Sequence, residues 1–148
     1  MAHKSGLDVL LQRTSLSIPF EHFLEHIEEN YPLGTILDYQ PIREGYEDAN
    51  IFLLTTKKNY VAKIFSKEKT KGNRESYQKV LQEAQKISVP VPFLVYGKQG
   101  ILSNCLGTPY LLTEYFEGTS FYGKTPELVD MITITHALAR LHTLNFQI

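Results

Sequence analysis

The order of hydrophobic patterns predicts an α+β fold built on one antiparallel sheet of about five strands. Three short strand-like runs stand close together, at 36–42, 50–55 and 60–65, with connections too short to carry a crossover helix. A stretch of helical spacing follows from Arg74 to Ile87, and a strong apolar run then occupies 109–116. The sheet is thus expected to carry a helix between its third and fourth strands.

Each element has its own signal. Pro19 opens a helix in which Phe20, Phe23, Leu24 and Ile27 share one face, and Asn30-Tyr31-Pro32-Leu33-Gly34 ends it. Residues 1–17 are polar and irregular and are expected to form a loose arm. Ile36–Ile42 alternates apolar and polar residues. Asn50–Thr55 and Tyr60–Phe65 flank Thr56-Lys57-Lys58-Asn59, a hairpin turn. Tyr77, Val80, Leu81, Ala84 and Ile87 give the next helix one apolar face, and Pro90 and Pro92 stop it. Phe93–Tyr96 and Gly100–Ser103 read as short strands around a Gly97-Lys98-Gln99 turn. After Thr125-Pro126, a final helix carries Leu128, Met131, Ile132, Leu138 and Ala139 on one stripe, with His142 expected to pack among them.

Composition narrows the class of protein. The chain has 148 residues, 43% hydrophobic and 21% charged, enough for a core of its own and unlike a disordered or collagenous chain. Cys105 is the single cysteine, which excludes an intrachain disulfide framework and fits a reducing, cytoplasmic setting. No apolar run reaches the roughly 20 residues of a membrane span. The net charge of −1 conceals a split, with net −6 over 1–50, +7 over 51–100 and −2 over 101–148. That distribution speaks against nucleic-acid binding by the whole chain and suits a local site for a small anion such as a nucleotide phosphate.

Three motifs carry possible chemistry. Gly118-Thr119-Ser120-Phe121-Tyr122-Gly123-Lys124-Thr125 satisfies the G-x-x-x-x-G-K-[ST] phosphate-loop pattern. Pro126 removes an N–H from the following turn, however, and Phe121 and Tyr122 are bulky where the chain must wrap tightly. His22-Phe23-Leu24-Glu25-His26 satisfies H-x-x-E-H, but it lies opposite the apolar face of its helix and has no third ligand in view. Lys63 differs from both. It sits on an otherwise apolar strand face beside Val61 and Phe65, and an ammonium there calls for a carboxylate partner. The following helix offers Glu75 and Glu83. Helix geometry favours Glu83, because Glu75 lies nearly opposite the apolar face.

Taken together, the ordered elements resemble the N-terminal, ATP-binding lobe of the aminoglycoside phosphotransferase and choline kinase-like family, with its protein-kinase-like fold. Tyr60-Val61-Ala62-Lys63-Ile64-Phe65 resembles the third strand with its nucleotide-binding lysine. Arg74-Glu75, running on to Val89-Pro90-Val91-Pro92, resembles the helix whose glutamate pairs with that lysine. Tyr110 to Gly118 resembles the hinge strand that holds adenine, and Ala137 to Leu144 resembles the helix beyond it. The match runs over about residues 33–146.

The resemblance implies an ATP cofactor and a set of roles. Lys63 would hold phosphates, oriented by Glu75. Gly45 and Asn50 would belong to the nucleotide loop, and Glu114, Tyr115 and Phe116 would form the adenine edge. The organisation implied is an N-terminal arm and helix over 1–32, a nucleotide lobe over 33–118, and over 119–148 a linker and the first helix of a helical lobe. The family's catalytic loop and magnesium ligands belong to that second lobe, and the chain ends at Ile148 before them. The expectation is therefore a truncated small-molecule kinase, inactive alone, whose last helix is exposed or self-associated. Its partners would be the nucleotide and a small-molecule acceptor, with no nucleic acid and no membrane. A non-catalytic α+β binding module and a phosphate-loop nucleotide binder are the rival readings.

Overall fold

A computed structural model describes residues 4–118 and 123–144. Its elements run α1 (Leu7–Leu11), α2 (Phe20–Asn30), β1 (Ile36–Ile42), β2 (Ala49–Thr55), β3 (Asn59–Ile64), α3 (Lys71–Lys86), β4 (Ser103–Cys105), β5 (Thr108–Glu114) and α4 (Leu128–His142). The five strands form one antiparallel sheet in the order β1-β2-β3-β5-β4. The α+β class, the strand number and the helix between the third and fourth strands are as the sequence predicts.

Period-two alternation divides the sheet into two faces. Ala49, Ile51, Leu53, Tyr60, Ala62, Ile64, Tyr110 and Leu112 point into a core closed by Phe20, Phe23, Leu24 and Ile27 of α2. Burial of each such aliphatic or aromatic side chain stabilises the fold by about 1.5–3 kcal/mol. Aromatic edges organise the contact, with Phe23 and Tyr110 crossing at 77° with ring centroids 5.0 Å apart. The opposite face carries Asn50, Val61, Lys63 and Thr113. Tyr77 of α3 lies against it, meeting the Phe65 ring at 5.9 Å and the Lys63 ammonium at 5.2 Å.

A buried polar network ties α2 to the far edge of the sheet. Asn30 Nδ2 donates to Ser103 Oγ at 2.8 Å and to the Tyr110 hydroxyl at 3.1 Å, and Asn30 Oδ1 accepts from the Gln99 N–H. The Tyr31 hydroxyl donates to the Ile101 carbonyl and lies 2.8 Å from Ser103 Oγ. Gly97 is needed beside it, because a Cβ there would come within 2.9 Å of the Asn30 carbonyl and the Tyr31 ring. Among the described residues no buried side-chain polar atom lacks a partner.

Four expectations are corrected. The arm is not loose over its described residues: α1 buries Leu7 and Leu10 in the core, and Lys4 pairs with Asp38 at 2.9 Å. Apolar residues three apart in a five-residue helix are too short a pattern to read as periodic. Helix α3 starts at Lys71 rather than Arg74, because Thr70 and Asn73 form a reciprocal capping box. The expected strands around Gly97 reduce to the isolated bridges Leu94–Thr113 and Gly97–Gly100, and the edge strand is instead Ser103–Cys105. On α4, His142 is exposed rather than packed, while Leu128, Met131, Ile132 and Leu138 are exposed, one of the two outcomes expected for this stripe. Half of the phosphate-loop pattern at 118–125, residues 119–122, lies outside the described residues.

The network and the bare helix make opposite predictions for stability. Asn30→Ala strands several buried groups and should lower the unfolding free energy by about 2 kcal/mol. Met131→Ala on α4 should change it by no more than about 0.5 kcal/mol. Urea titration of both variants checks the contrast.

Candidate nucleotide-binding site

Strand register builds the site. Asn50 on β2 and Leu111 on β5 both stand directly opposite Lys63, and in the next rows Phe52 and Thr113 both stand opposite Val61. Residues paired in this way share a face, so the register sets an amide, an ammonium and apolar side chains side by side. A one-residue slip would send Lys63 into the core, and the buried alternation of Tyr60, Ala62 and Ile64 prevents it.

Two adjoining clefts open on this face. One, of about 270 Å³, is lined by Asn50, Val61, Lys63, Tyr77, Leu111 and the segment Thr113 to Phe116, among others. The other, of about 390 Å³, is lined by Gly45 to Asp48, Asn50, Lys63 and Lys69. Asn50 and Lys63 belong to both. The first is apolar-walled and ends at a strand edge; the second is bounded by charge and by the loop between β1 and β2. Gly45 shapes that loop with φ of 107°, a region that favours glycine.

The charged cleft is organised by Asp48. Its carboxylate is 4% exposed and takes three hydrogen bonds. Oδ1 accepts from the Ser66 N–H at 2.8 Å, and Oδ2 accepts from Lys63 Nζ at 3.0 Å and from Lys69 Nζ at 2.7 Å. Burial pushes the Asp48 carboxyl up, but the Lys69 and Ser66 hydrogen bonds and the Lys63 charge outweigh it and hold the group below its ordinary value. Burial pulls the Lys69 ammonium down, and its hydrogen bond and attraction to Asp48 reverse this, raising it above the usual lysine value. Arg13, just after α1, donates to the Gly45 carbonyl at 3.1 Å and pins the same loop from outside.

The seven residues singled out in the sequence separate clearly. Gly45, Asn50, Lys63, Glu114, Tyr115 and Phe116 all line one or both clefts. Glu75 does not. It pairs with Lys71 at 3.7 Å, and Glu83 pairs with Lys86 at 2.7 Å, so in this structure neither helix carboxylate meets Lys63. The Lys63 partner is Asp48, one residue before β2. The sequence held a signal for it: Asp48 immediately precedes the strand that pairs with the lysine strand, so a hairpin register alone brings the two close. Lys69 and Arg13 had no such signal, since each reaches the cleft from an irregular segment. On α2, His26 is drawn off the solvated surface by the Tyr110 hydroxyl, 2.9 Å from its Nδ1. Among the described residues no three of His, Cys, Asp and Glu converge on a metal position.

A five-stranded antiparallel sheet with α3 inserted after the lysine strand, and a cleft between lysine and strand edge, defines a kinase-like phosphotransferase fold. Comparison with known proteins agrees. The family model described as Phosphotransferase enzyme family matches residues 38–147, and the chain belongs to that family. Homoserine kinase from Bradyrhizobium diazoefficiens is 27% identical over 113 residues, covering 76% of this chain and 34% of that protein. Homoserine kinase from Burkholderia mallei is 32% identical over 114 residues, with the same two shares. Spectinomycin phosphotransferase, solved with ADP and spectinomycin, superposes with a TM-score of 0.68 at 11% identity, covering 86% of this chain and 38% of that one. The chain thus spans about a third of the length of the relatives it matches. Among the described residues no helix is long and apolar enough to cross a membrane.

The Asp48 cluster predicts an acid-sensitive site. A carboxyl held below its ordinary value contributes stability above that value, near 3.9, and loses it as pH falls through the folded-state pKa. Asp48→Asn should cost about 3 kcal/mol at neutral pH, the lower end for breaking a buried pair. The variant should also lack the part of the acid destabilisation below about pH 4 that Asp48 supplies. Thermal unfolding from pH 7 to pH 3 compares the two proteins.

Proposed function

We propose that this chain is the nucleotide-binding lobe of an ATP-dependent phosphotransferase that delivers a phosphoryl group to a hydroxyl of a small molecule. The observation that carries the reading is the convergence of Lys63, Asn50 and the Glu114–Phe116 edge on one cleft, joined to a second cleft bounded by lysines. The shape and chemistry fit ATP. Val61, Leu111, Tyr77 and Pro92 offer apolar walls for a ring, and the ammonium groups beyond them suit phosphates.

The strand edge sets the adenine contacts. The Glu114 N–H is engaged by the Phe93 carbonyl at 2.8 Å and the Tyr115 N–H by the Asn59 carbonyl at 2.9 Å. We therefore assign the Phe116 N–H as donor and the Glu114 carbonyl as acceptor to the base. The Glu114 side chain turns away to Lys58 at 2.8 Å. Lys63, fixed by Asp48 and backed by the Tyr77 ring, holds phosphate oxygens in line. Bound ATP supplies the transferable group, and this lobe supplies grip, orientation and charge.

Magnesium accompanies ATP in this reading. Asp48 is committed to its lysines, so we assign the metal ligands, the base and the acceptor pocket to the part of the relatives that this chain does not span. The exposed stripe on α4 is read as a face that such a part covers. The family name and the homoserine kinase and spectinomycin phosphotransferase relatives support a small-molecule acceptor. This lobe alone is expected to bind nucleotide without transferring phosphate.

Calorimetric titration with ATP and with adenosine tests the reading. Lys63→Ala removes a charge-assisted contact of about 1.5–3 kcal/mol and should weaken ATP binding at least tenfold while leaving adenosine nearly unchanged. Equal losses for both ligands would reduce Lys63 to a folding role, and no preference of the unaltered chain for ATP over adenosine would remove the nucleotide reading itself.

A further inference from the structure

Lys69 lines the charged cleft, and the nucleotide reading gives it no role of its own. It lies five residues beyond the end of β3, in the segment before α3, yet its ammonium reaches the same carboxylate oxygen as Lys63. The two ammonium groups are therefore no farther apart than those two short bonds combined. Both side chains are largely shielded, at 18% and 24% exposure, and both line the cleft under the Gly45 loop. We propose that Lys69 is a second phosphate-contacting residue, which makes the site a two-lysine clamp selective for polyphosphate over a single phosphate.

The charge balance at this loop favours an anion. Lys63, Lys69 and Arg13 surround this loop, against Asp48 and Glu47. Glu47 is a weak partner, 74% exposed and 3.3 Å from Lys69, so solvent screens it and a phosphate can displace it. Asp48 is the firm one, but a single carboxylate oxygen shared by two ammoniums leaves their mutual repulsion only partly answered. An anion with oxygens spaced along a chain answers it fully, by meeting each lysine on the side away from Asp48. Position is held independently of any ligand. The Lys69 N–H donates to the Ser66 carbonyl at 3.0 Å, Arg74 Nη1 donates to the Lys69 carbonyl at 2.7 Å, and the Lys69 ammonium stands 5.8 Å over the Phe65 ring. A lysine held by these three contacts and by Asp48 loses little freedom on binding, which favours affinity.

The inference rests on the nucleotide reading and deepens it, and it fails separately. The first measurement compares adenosine, AMP, ADP, ATP and inorganic tripolyphosphate binding to the chain and to Lys69→Met and Lys69→Arg. Lys69→Met should lose about tenfold for ATP and tripolyphosphate and almost nothing for adenosine, while Lys69→Arg keeps most of the affinity. Losses by Lys69→Met that are equal for ATP and adenosine, or no loss at all, overturn the clamp while a Lys63→Ala effect leaves the nucleotide site standing. The second measurement needs no variant. Amine acylation of the unaltered chain, read by mass spectrometry at Lys69, should be suppressed by ATP and by tripolyphosphate but not by adenosine. Unchanged acylation of Lys69 at saturating ATP overturns the proposal.

Discussion

The Asp48 carboxylate is the contact on which the site depends. It is a buried charge one residue before β2, and it joins three parts of the chain: the loop after β1, the end of β3 and the segment leading to α3. A carboxylate so placed is costly unless its oxygens are filled, and here a backbone N–H and two ammoniums fill them. The same bonds that satisfy Asp48 aim Lys63 across the cleft and hold the Gly45 loop beside it. Stability and site geometry are therefore set by one cluster.

The sheet makes that cluster possible. Its core face is committed to α2 through Phe23, Ile27 and Tyr110, which fixes the register of β2, β3 and β5. Fixed register is what puts Asn50 and Leu111 on either side of Lys63. The polar network of Asn30, Tyr31, Ser103 and Tyr110 secures the far edge in turn, and burial pushes the Tyr110 hydroxyl strongly up, so it stays a neutral hydrogen-bonding group. The proposed site thus sits on the face that core packing leaves available.

Much of this was legible in the sequence. Alternation in β1 and the apolar runs of β2, β3 and β5 place these strands to within two residues, and a lysine among apolar strand residues singles itself out. The sequence offers Glu75 and Glu83 on the following helix as the lysine partner, and the family resemblance implies Glu75. The structure pairs Lys63 with Asp48 instead, since the hairpin pairing of β2 with β3 brings the residue before β2 next to the end of β3. Lys69 and Arg13 carry no such register signal: irregular segments deliver them, and no spacing rule describes their reach. Helix α1 was missed because one turn buries too few residues to show a period. The short edge strand at 103–105 was misplaced because its pairing is set by β5 rather than by its own alternation.

The central claim is that one continuous site runs from the β5 edge to the Asp48 cluster and takes ATP along its length. Backbone amide chemical-shift mapping by NMR during an ATP titration tests this most directly. The account predicts saturable shifts at Gly45, Asn50, Lys63, Lys69, Tyr115 and Phe116, with adenosine reproducing only those at 115 and 116 and their neighbours. Saturable shifts centred on α4 or α2, with none at Lys63 or Phe116, would contradict it.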